Sequence, residues 1–286
     1  MDFDALFTKA RPQILEKICL SLNYESFKIC QEVNRAWKGI LTSQTFKKKA
    51  KSAFEKEIST DEVNLLAASG QGNVEEARKL ISVGMVDVDC ADKDGYTPLH
   101  RASLNGYKNM VQFLLRRGAD PAKPGKYDDT PLHEAAKKGY NEVVQLFLDN
   151  GVDPNKEGQL KRTPLHFAAS RGHKDVVQLL LDRGSDPNKT SRGGHTPLFA
   201  AVAYSYGDKD VVHLLLNRGA DPYKANVEGG TPLHWAAYRG NKDIVQALLR
   251  VADPNIQDVY GRIALHYAWR SNCNDVINMI KTAMAM

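Results

Sequence analysis

Apolar and polar positions recur along most of the chain with a period of about 33 residues. Each period opens with Thr-Pro-Leu-His or a near copy of it. At intervals of 33, 33, 33 and 35 residues, the copies start at Thr97, Thr130, Thr163, Thr196 and Thr231. A degenerate copy, Ile-Ala-Leu-His, starts 32 residues later. Self-similarity at a fixed period of this length indicates an array of structural repeats.

Within one period the pattern predicts two helices and two turns. Small residues follow the opening motif, as at 135–136, and a glycine such as Gly139 ends the first helix. Apolar residues then recur at helical spacing over 143–148. A segment such as Gly-Ala-Asp-Pro at 118–121 closes the second helix. Glycine suits these ends because the chain must often take a positive φ there.

The motif, its register and the closing turn resemble the ankyrin repeat. The resemblance implies an all-α solenoid over residues 59–286, built of helix-turn-helix units with β-turn tips. Seven repeats are predicted, at about 60–92, 93–125, 126–158, 159–191, 192–226, 227–258 and 259–286. The first lacks the anchor motif and is expected to cap the stack. The last carries Asn272 at the glycine position and Trp269 where others have a smaller residue, which indicates that no further repeat stacks there.

Candidate chemistry does not change this picture. Five of the eight histidines belong to the repeats and recur once per period, whereas zinc ligands come in close pairs. We therefore interpret them as structural, each ring bonding the backbone of a neighbouring turn. The Asp-Pro pairs are turn residues. Because no motif for a hydrolase, metalloprotease or nucleotide site appears, the chain is predicted to be non-enzymatic, without metal or cofactor.

Composition is that of an ordinary folded protein, with 42% hydrophobic and 26% charged residues. No stretch is long and apolar enough to span a membrane, and no secretory signal is evident. The four cysteines are scattered and read as reduced thiols, which favours the cytoplasm, with the nucleus as the alternative. The net charge of +5 permits acidic partners without requiring nucleic acid, and the basic run at 47–51 is interpreted as a solvated helix face.

Residues 1–58 do not share the repeat and predict three short amphipathic helices. They resemble an F-box, on a Pro-x-Ile-Leu start and a Val-x-Arg-x-Trp third helix ending at Trp37, although Ala10-Arg11 stands where Leu-Pro is usual. The resemblance implies a domain that docks a Skp-type adaptor. The adaptor-binding residues would be Pro12, Ile14, Leu15, Ile18, Leu22 and Trp37. The alternative is a helical cap that shields the first repeat.

Together the two resemblances predict a non-catalytic substrate-recognition adaptor of a Skp–cullin–F-box ubiquitin ligase. The alternatives are an ankyrin scaffold or inhibitor without a link to ubiquitin, and a pathogen effector that imitates a host F-box protein. The sequence does not specify the substrate.

The ankyrin resemblance also places the substrate-binding surface. In such a stack, the residue after the anchor histidine and the two before the turn glycine project toward the concave side. Those positions predict the binding residues Arg101, Glu134, Lys137, Lys138, Phe167, Arg171, Trp235, Tyr238, Arg239, Tyr267 and Arg270. Basic and aromatic side chains dominate, so we expect an acidic protein segment with apolar anchors as the ligand. Two extra residues near Tyr204 and Tyr206 are either an aromatic knob for a partner or neutral drift.

Overall fold

The computed structural model of the protein describes residues 60–82, 86–204 and 208–285. Those ranges contain fourteen α-helices, paired in chain order, and no strand. The helices are α1 (60–71), α2 (Val74–Ser82), α3 (Pro98–Leu104), α4 (Lys108–Arg116), α5 (Pro131–Lys138), α6 (Asn141–Asp149), α7 (Pro164–Arg171), α8 (Lys174–Asp182), α9 (Pro197–Tyr204), α10 (Lys209–Asn217), α11 (Pro232–Arg239), α12 (Lys242–Leu249), α13 (Ala264–Ser271) and α14 (Asn274–Met284).

From α3 onward, the opening motif starts each inner helix, the odd-numbered helix of a pair. Thr97 is the N-cap of α3, with extended backbone angles of φ −83° and ψ 168°, and Pro98 occupies the first turn. The N–H of His100 donates to the Thr97 hydroxyl over 3.3 Å, and the N–H of Thr97 donates to Nδ1 of His100 over 3.2 Å. This reciprocal box satisfies two donors that a helix start otherwise leaves unpaired.

Left-handed residues end the inner helices, as predicted. Gly139 closes α5 at φ 80° and Gly172 closes α7 at φ 74°. Asn272, the substitute in the last repeat, closes α13 at φ 54°. Asparagine is among the few non-glycine residues that take this conformation readily.

The core runs the length of the stack between inner and outer helices. Inner helices pack on the inner helices of neighbouring repeats, and outer, even-numbered helices pack on outer helices. The leucine of every opening motif from Leu99 to Leu233 is buried. Ala135 and Ala136 are fully buried as well, and their small side chains let adjacent inner helices approach closely. Each repeat therefore buries its apolar face against its neighbours.

Five-residue turns, here called fingers, lead into the inner helices from α3 onward. Each is closed by a hydrogen bond from the N–H of its first residue to the carbonyl of its last, over 2.9–3.1 Å. The fingers span 92–96, 125–129, 158–162, 191–195, 226–230 and 258–262.

The motif histidines from His100 to His234 bond the backbone of the next finger, which confirms the structural interpretation for these four. Nε2 of His100 lies 3.1 Å from the carbonyl of Asp129, and Nε2 of His166 lies 2.9 Å from that of His195. Because a backbone N–H donates to Nδ1, the ring proton sits on Nε2, which donates to the carbonyl. Burial lowers the pKa of His100, His133 and His166 to about 4, so these rings are neutral at physiological pH.

A second set of bonds ties the outer loops together. Oδ1 of Asn155 accepts from the N–H of Asp186 over 2.8 Å, and its Nδ2 donates to the carbonyl of Gly184 over 2.9 Å. Asn188 makes the same pair of bonds one repeat later. One side chain thus satisfies a donor and an acceptor of the neighbouring turn.

Two sets of predicted residues lie outside the described ranges. The F-box-like segment, with all six predicted adaptor-binding residues, belongs to residues 1–58. Two of the residues around the extra loop, Ser205 and Tyr206, lie outside as well.

Candidate protein-binding face

Two columns of variable residues form the surface that the inner helices present beside the fingers, here called the inner face. One column follows the motif histidine, and the other precedes the motif threonine at the last residue of each finger. Arg101, from the first column, lies 5.6 Å over the ring of Tyr96, from the second, and pairs with Asp92. The inner face is therefore built by helix and finger together.

The structure divides the predicted binding residues by exposure. Lys138, Arg171, Tyr238, Arg239 and Arg270 are exposed, and Arg101, Lys137 and Trp235 are half-buried.

The other three predicted residues do not face solvent, which corrects the expectation for them. Glu134 is 1% exposed, Phe167 5% and Tyr267 9%. At this burial their side chains serve the packing of the face and do not form its outer surface.

Neighbouring side chains cover these three residues. Oε1 of Glu134 accepts a hydrogen bond from the Tyr96 hydroxyl over 3.1 Å. The Tyr267 hydroxyl donates to Oδ2 of Asp258 over 2.7 Å, and burial with this bond raises the pKa of Tyr267 to about 12.

Phe167 is covered by two cations. Nζ of Lys137 lies 5.6 Å from the centre of its ring, and the guanidinium of Arg162 lies 6.0 Å from it. The aliphatic stems of long basic side chains can shield apolar surface while their charges stay in water.

Five rings from two adjacent repeats make a continuous aromatic band along the inner face. His195 stacks on Phe199 at 4.3 Å and meets Tyr204 edge-on at 5.9 Å. Phe199 meets Trp235 at 5.8 Å, and Trp235 meets Tyr238 at 5.7 Å. Tyr204 is 49% exposed and Tyr238 41%, so both ends of the band are open to a partner.

Two departures from the repeat pattern permit the band. Phe199 replaces the motif histidine, and because its ring has no nitrogen it stacks on His195. Gly230 occupies the finger position that carries a side chain in the neighbouring repeats. A Cβ on Gly230 would lie 3.5 Å from Nε1 of Trp235, an ordinary contact distance, so the indole packs directly against this finger position.

Cations surround the aromatic band. Arg162 lies 5.1 Å over the ring of Tyr204, and Arg270 lies 6.0 Å over that of Tyr238. Among the described residues, no carboxylate oxygen lies within 4.0 Å of Lys137, Lys138, Arg162, Arg171, Arg239 or Arg270.

An acid also lies near the band. Glu228 is exposed on the 226–230 finger and influences the pKa of His195 and Tyr267. The face is nevertheless predominantly positive, although Asp92 pairs with Arg101 and Asp129 interacts electrostatically with Lys137 and Arg162.

Three contributors to this face, Arg162, His195 and Tyr204, are not among the binding residues predicted from the sequence. Arg162 and His195 end fingers, and Tyr204 was considered only as part of the extra loop. The register could have found the first two, because the residue before each motif threonine varies from repeat to repeat, as Tyr96, Asp129, Arg162, His195 and Gly230.

Neither a metal site nor a membrane span appears in the described part of the chain. No group of three or more histidine, cysteine or acidic side chains there is arranged to hold a metal ion. None of the helices described is long and apolar enough to cross a membrane.

The ankyrin-repeat family model matches this chain in three copies, over residues 49–125, 132–226 and 199–284, and no F-box is detected. The solved ankyrin repeat domain of Bcl-3, titled a unique member of the IkappaB protein family, is 28% identical with a TM-score of 0.66. That likeness covers 76% of this chain and 97% of the Bcl-3 chain.

Curated relatives match over shorter stretches. Human ankyrin repeat domain-containing protein 49 is 39% identical over 67 residues, 23% of this chain and 28% of that protein. Palmitoyltransferase akr1 of Schizosaccharomyces pombe is 40% identical over 57 residues, 20% of this chain and 9% of that protein. The chain thus spans less than a third of the length of either relative.

Proposed function

Since the chain belongs to the ankyrin-repeat family, whose repeats bind protein partners, we propose that its inner face holds an acidic protein segment with apolar anchors. The ankyrin solenoid is a non-enzymatic interaction scaffold, although relatives such as the palmitoyltransferase carry such repeats within an enzyme. The observation that carries the proposal is the aromatic band bordered by unpaired cations.

The band suits apolar anchors of a partner. Tyrosine, tryptophan and arginine dominate the energetics of protein interfaces. Trp235 is held by rings on both sides, Phe199 and Tyr238, so it loses little side-chain freedom when a partner covers it. Partner side chains that cover Tyr204 and Tyr238 would remove aromatic surface from water.

The cations select the charge of the partner. An acidic segment would gain from Arg162, Arg171 and Arg270, whereas a basic segment would be repelled. Such charges mainly accelerate association and select among partners, and salt screens them because they face solvent.

We propose more specifically that the protein is a substrate receptor of a Skp–cullin–F-box ubiquitin ligase. It is supported by the Pro-x-Ile-Leu and Val-x-Arg-x-Trp pattern of residues 12–37. In this form the N-terminal segment docks the adaptor while the inner face presents the substrate. A scaffold or inhibitor without a ubiquitin link would use the same inner face and differ only in the N-terminal segment.

Affinity capture with the full chain, followed by mass spectrometry, tests the proposal. Partners captured by the wild type are then compared with those captured by Trp235→Ala/Tyr238→Ala and by Lys137→Ala/Lys138→Ala. The aromatic pair is expected to cost roughly 30-fold or more in affinity. The lysine pair should cost a few-fold, mainly in association rate. A partner that binds the aromatic double variant like the wild type would place recognition elsewhere.

A further inference from the structure

A cationic cleft between two fingers lies apart from the inner face. Its cavity is about 420 Å³ and opens between the 158–162 finger and residues 188–192, which lead into the next finger. It is lined by Glu157, Lys161, Asn188, Lys189, Thr190, Ser191 and Arg192, none of which belongs to the inner face. The surface is therefore independent of the site proposed above.

The cleft has a net positive charge. Three cations and one carboxylate line it, which gives +3 − 1 = +2. Nζ of Lys189 pairs with Oε1 of Glu157 over 3.2 Å. Among the described residues, Lys161 and Arg192 have no carboxylate within 4.0 Å. Two unneutralised cations thus remain for a ligand.

The backbone fixes these two cations beside each other. The N–H of Arg192 donates to the carbonyl of Leu160 over 2.8 Å, which ties one finger to the next. Lys161 follows Leu160 directly, so this bond sets the spacing between the attachment points of both basic side chains.

Lys161 occupies a backbone position where glycine would be less strained. Its φ is 58°, and the preceding Leu160 has φ 55°. At the same finger position the 125–129 finger carries Asp128, at φ 66°, and the other four carry glycine at positive φ: Gly95, Gly194, Gly229 and Gly261. The Lys161 side chain is therefore carried at a conformational cost of about 1 kcal/mol.

We infer that this cleft binds a phosphorylated serine or threonine side chain of a partner protein. A phosphomonoester carries about −1.5 to −2 charges at neutral pH, which matches the net charge of the cleft. Lys161 and Arg192 donate to its oxygens, and the hydroxyl of Thr190 is available as a further donor. Leu160, 52% exposed at the finger tip, offers an apolar contact to a neighbouring residue of the partner.

A bilayer surface fits this cleft less well than a protein segment. Membrane-surface sites combine several cations with several apolar side chains that enter the lipid together. Leu160 is the exposed large apolar side chain beside this cleft, and Glu157 in its wall would face anionic lipid.

The test is fluorescence anisotropy of the full chain with a labelled peptide library that has one fixed phosphoserine. A library with serine at that position, inorganic phosphate as competitor, and vesicles containing a phosphatidylinositol phosphate complete the probes. The phosphoserine library should bind at least about tenfold better than the serine library, and phosphate should compete. Equal binding of both libraries, or binding to vesicles alone, would overturn the inference.

Variants assign the binding to the cleft. Arg192→Gln should weaken phosphoserine binding about tenfold or more, because it removes a charged donor. Lys161→Gly should weaken binding while raising Tm, since glycine relieves the left-handed strain, so loss of folding is not an explanation. Lys224 is the counterpart of Lys189 one repeat later. Lys224→Gln is the control and should change neither phosphoserine binding nor Tm. Trp235→Ala/Tyr238→Ala should keep phosphoserine binding, and its loss there would place the phosphate on the inner face.

Discussion

The ring of Tyr140 lies directly over Gly106, the residue that ends the preceding inner helix. A Cβ on Gly106 would come within 2.8 Å of the ring, and the φ of this glycine is 75°. Tyr107 covers Gly72 in the same way one repeat earlier, also at 2.8 Å. In these two repeats the tyrosine that follows the turn glycine therefore packs its repeat onto the turn before it, whereas Asp208 and Cys273 take this place in later repeats.

Gly106→Ala is expected to destabilise the fold by roughly 2–4 kcal/mol, because left-handed strain adds to a clash with Tyr140. Gly151→Ala is the matched control. Its φ is 76°, and nothing lies within 4 Å of a Cβ there, so it should lose only about 1 kcal/mol. Urea unfolding of both variants measures the difference. Equal losses would show that the Tyr140 contact contributes nothing.

Acid is expected to destabilise the solenoid through its histidines. Burial lowers the folded-state pKa of His100, His133 and His166 to about 4, below the unfolded value of about 6.5. The unfolded chain therefore takes up protons first as pH falls. Each ring makes its full contribution to the free energy of unfolding above about pH 6.5. That contribution, up to about 3 kcal/mol, is lost as the pH falls toward 4. Chemical unfolding between pH 7 and pH 4 checks this. A slope that His166→Gln leaves unchanged would contradict it.

Asp129 is expected to have the opposite effect to the histidines and to favour the folded state as the pH falls. Burial, with help from Glu134, raises its pKa to about 6, above the unfolded value of about 3.9. The folded chain therefore takes up this proton first, and acidification through pH 6 relieves a buried charge. In the wild type, Oδ1 of Asp129 accepts a hydrogen bond from the N–H of Gln159 over 2.8 Å. An asparagine at this position keeps a side-chain oxygen that can accept the same bond.

The Asp129→Asn variant should accordingly have a higher free energy of unfolding than the wild type. The difference should be larger at pH 7.5 than at pH 5. The measurement is the difference in unfolding free energy between the two proteins at each pH. A constant difference would mean that Asp129 does not titrate in this interval.

Tyr204 is expected to anchor the partner through its contacts with Arg162 and His195. Its hydroxyl lies 3.3 Å from Nδ1 of His195, and Arg162 lies over its ring. Tyr204→Ala should weaken partner binding about tenfold or more with little change in Tm. Tyr223→Ala is the control, because Tyr223 is similarly exposed, at 48%, but lies outside the inner face. Equal effects of both changes in titration calorimetry would remove Tyr204 from the site.

The N-terminal segment is expected to bind a Skp-type adaptor. Leu15→Asp/Ile18→Asp places two charges on its predicted apolar face and should abolish co-precipitation of a purified adaptor. Arg11→Asp, which changes charge beside that face, should leave most of the binding. Capture of the adaptor by the double Asp variant would exclude the F-box interpretation, whereas failure of the wild type to capture it would favour a scaffold or inhibitor.

Much of the local structure could be predicted from the sequence, because it depends on neighbours along the chain. Thr97 caps its helix through hydrogen bonds that span three residues. The left-handed conformation of Asn272 depends on the backbone preference of asparagine itself. The 33-residue register likewise places equivalent groups opposite each other, so the bond from His166 to the next finger follows from the repeat itself.

The composition of the inner face required the tertiary structure, because burial depends on side chains from other repeats. Phe167 has the register of a surface residue, yet Lys137 of the preceding inner helix and Arg162 of its own finger cover it. Trp235 is half-buried because it packs against the finger position of Gly230 and against Phe199, one repeat before it. The period fixes where a residue sits in the stack, whereas the sizes and charges of its neighbours across the repeats decide whether it meets water.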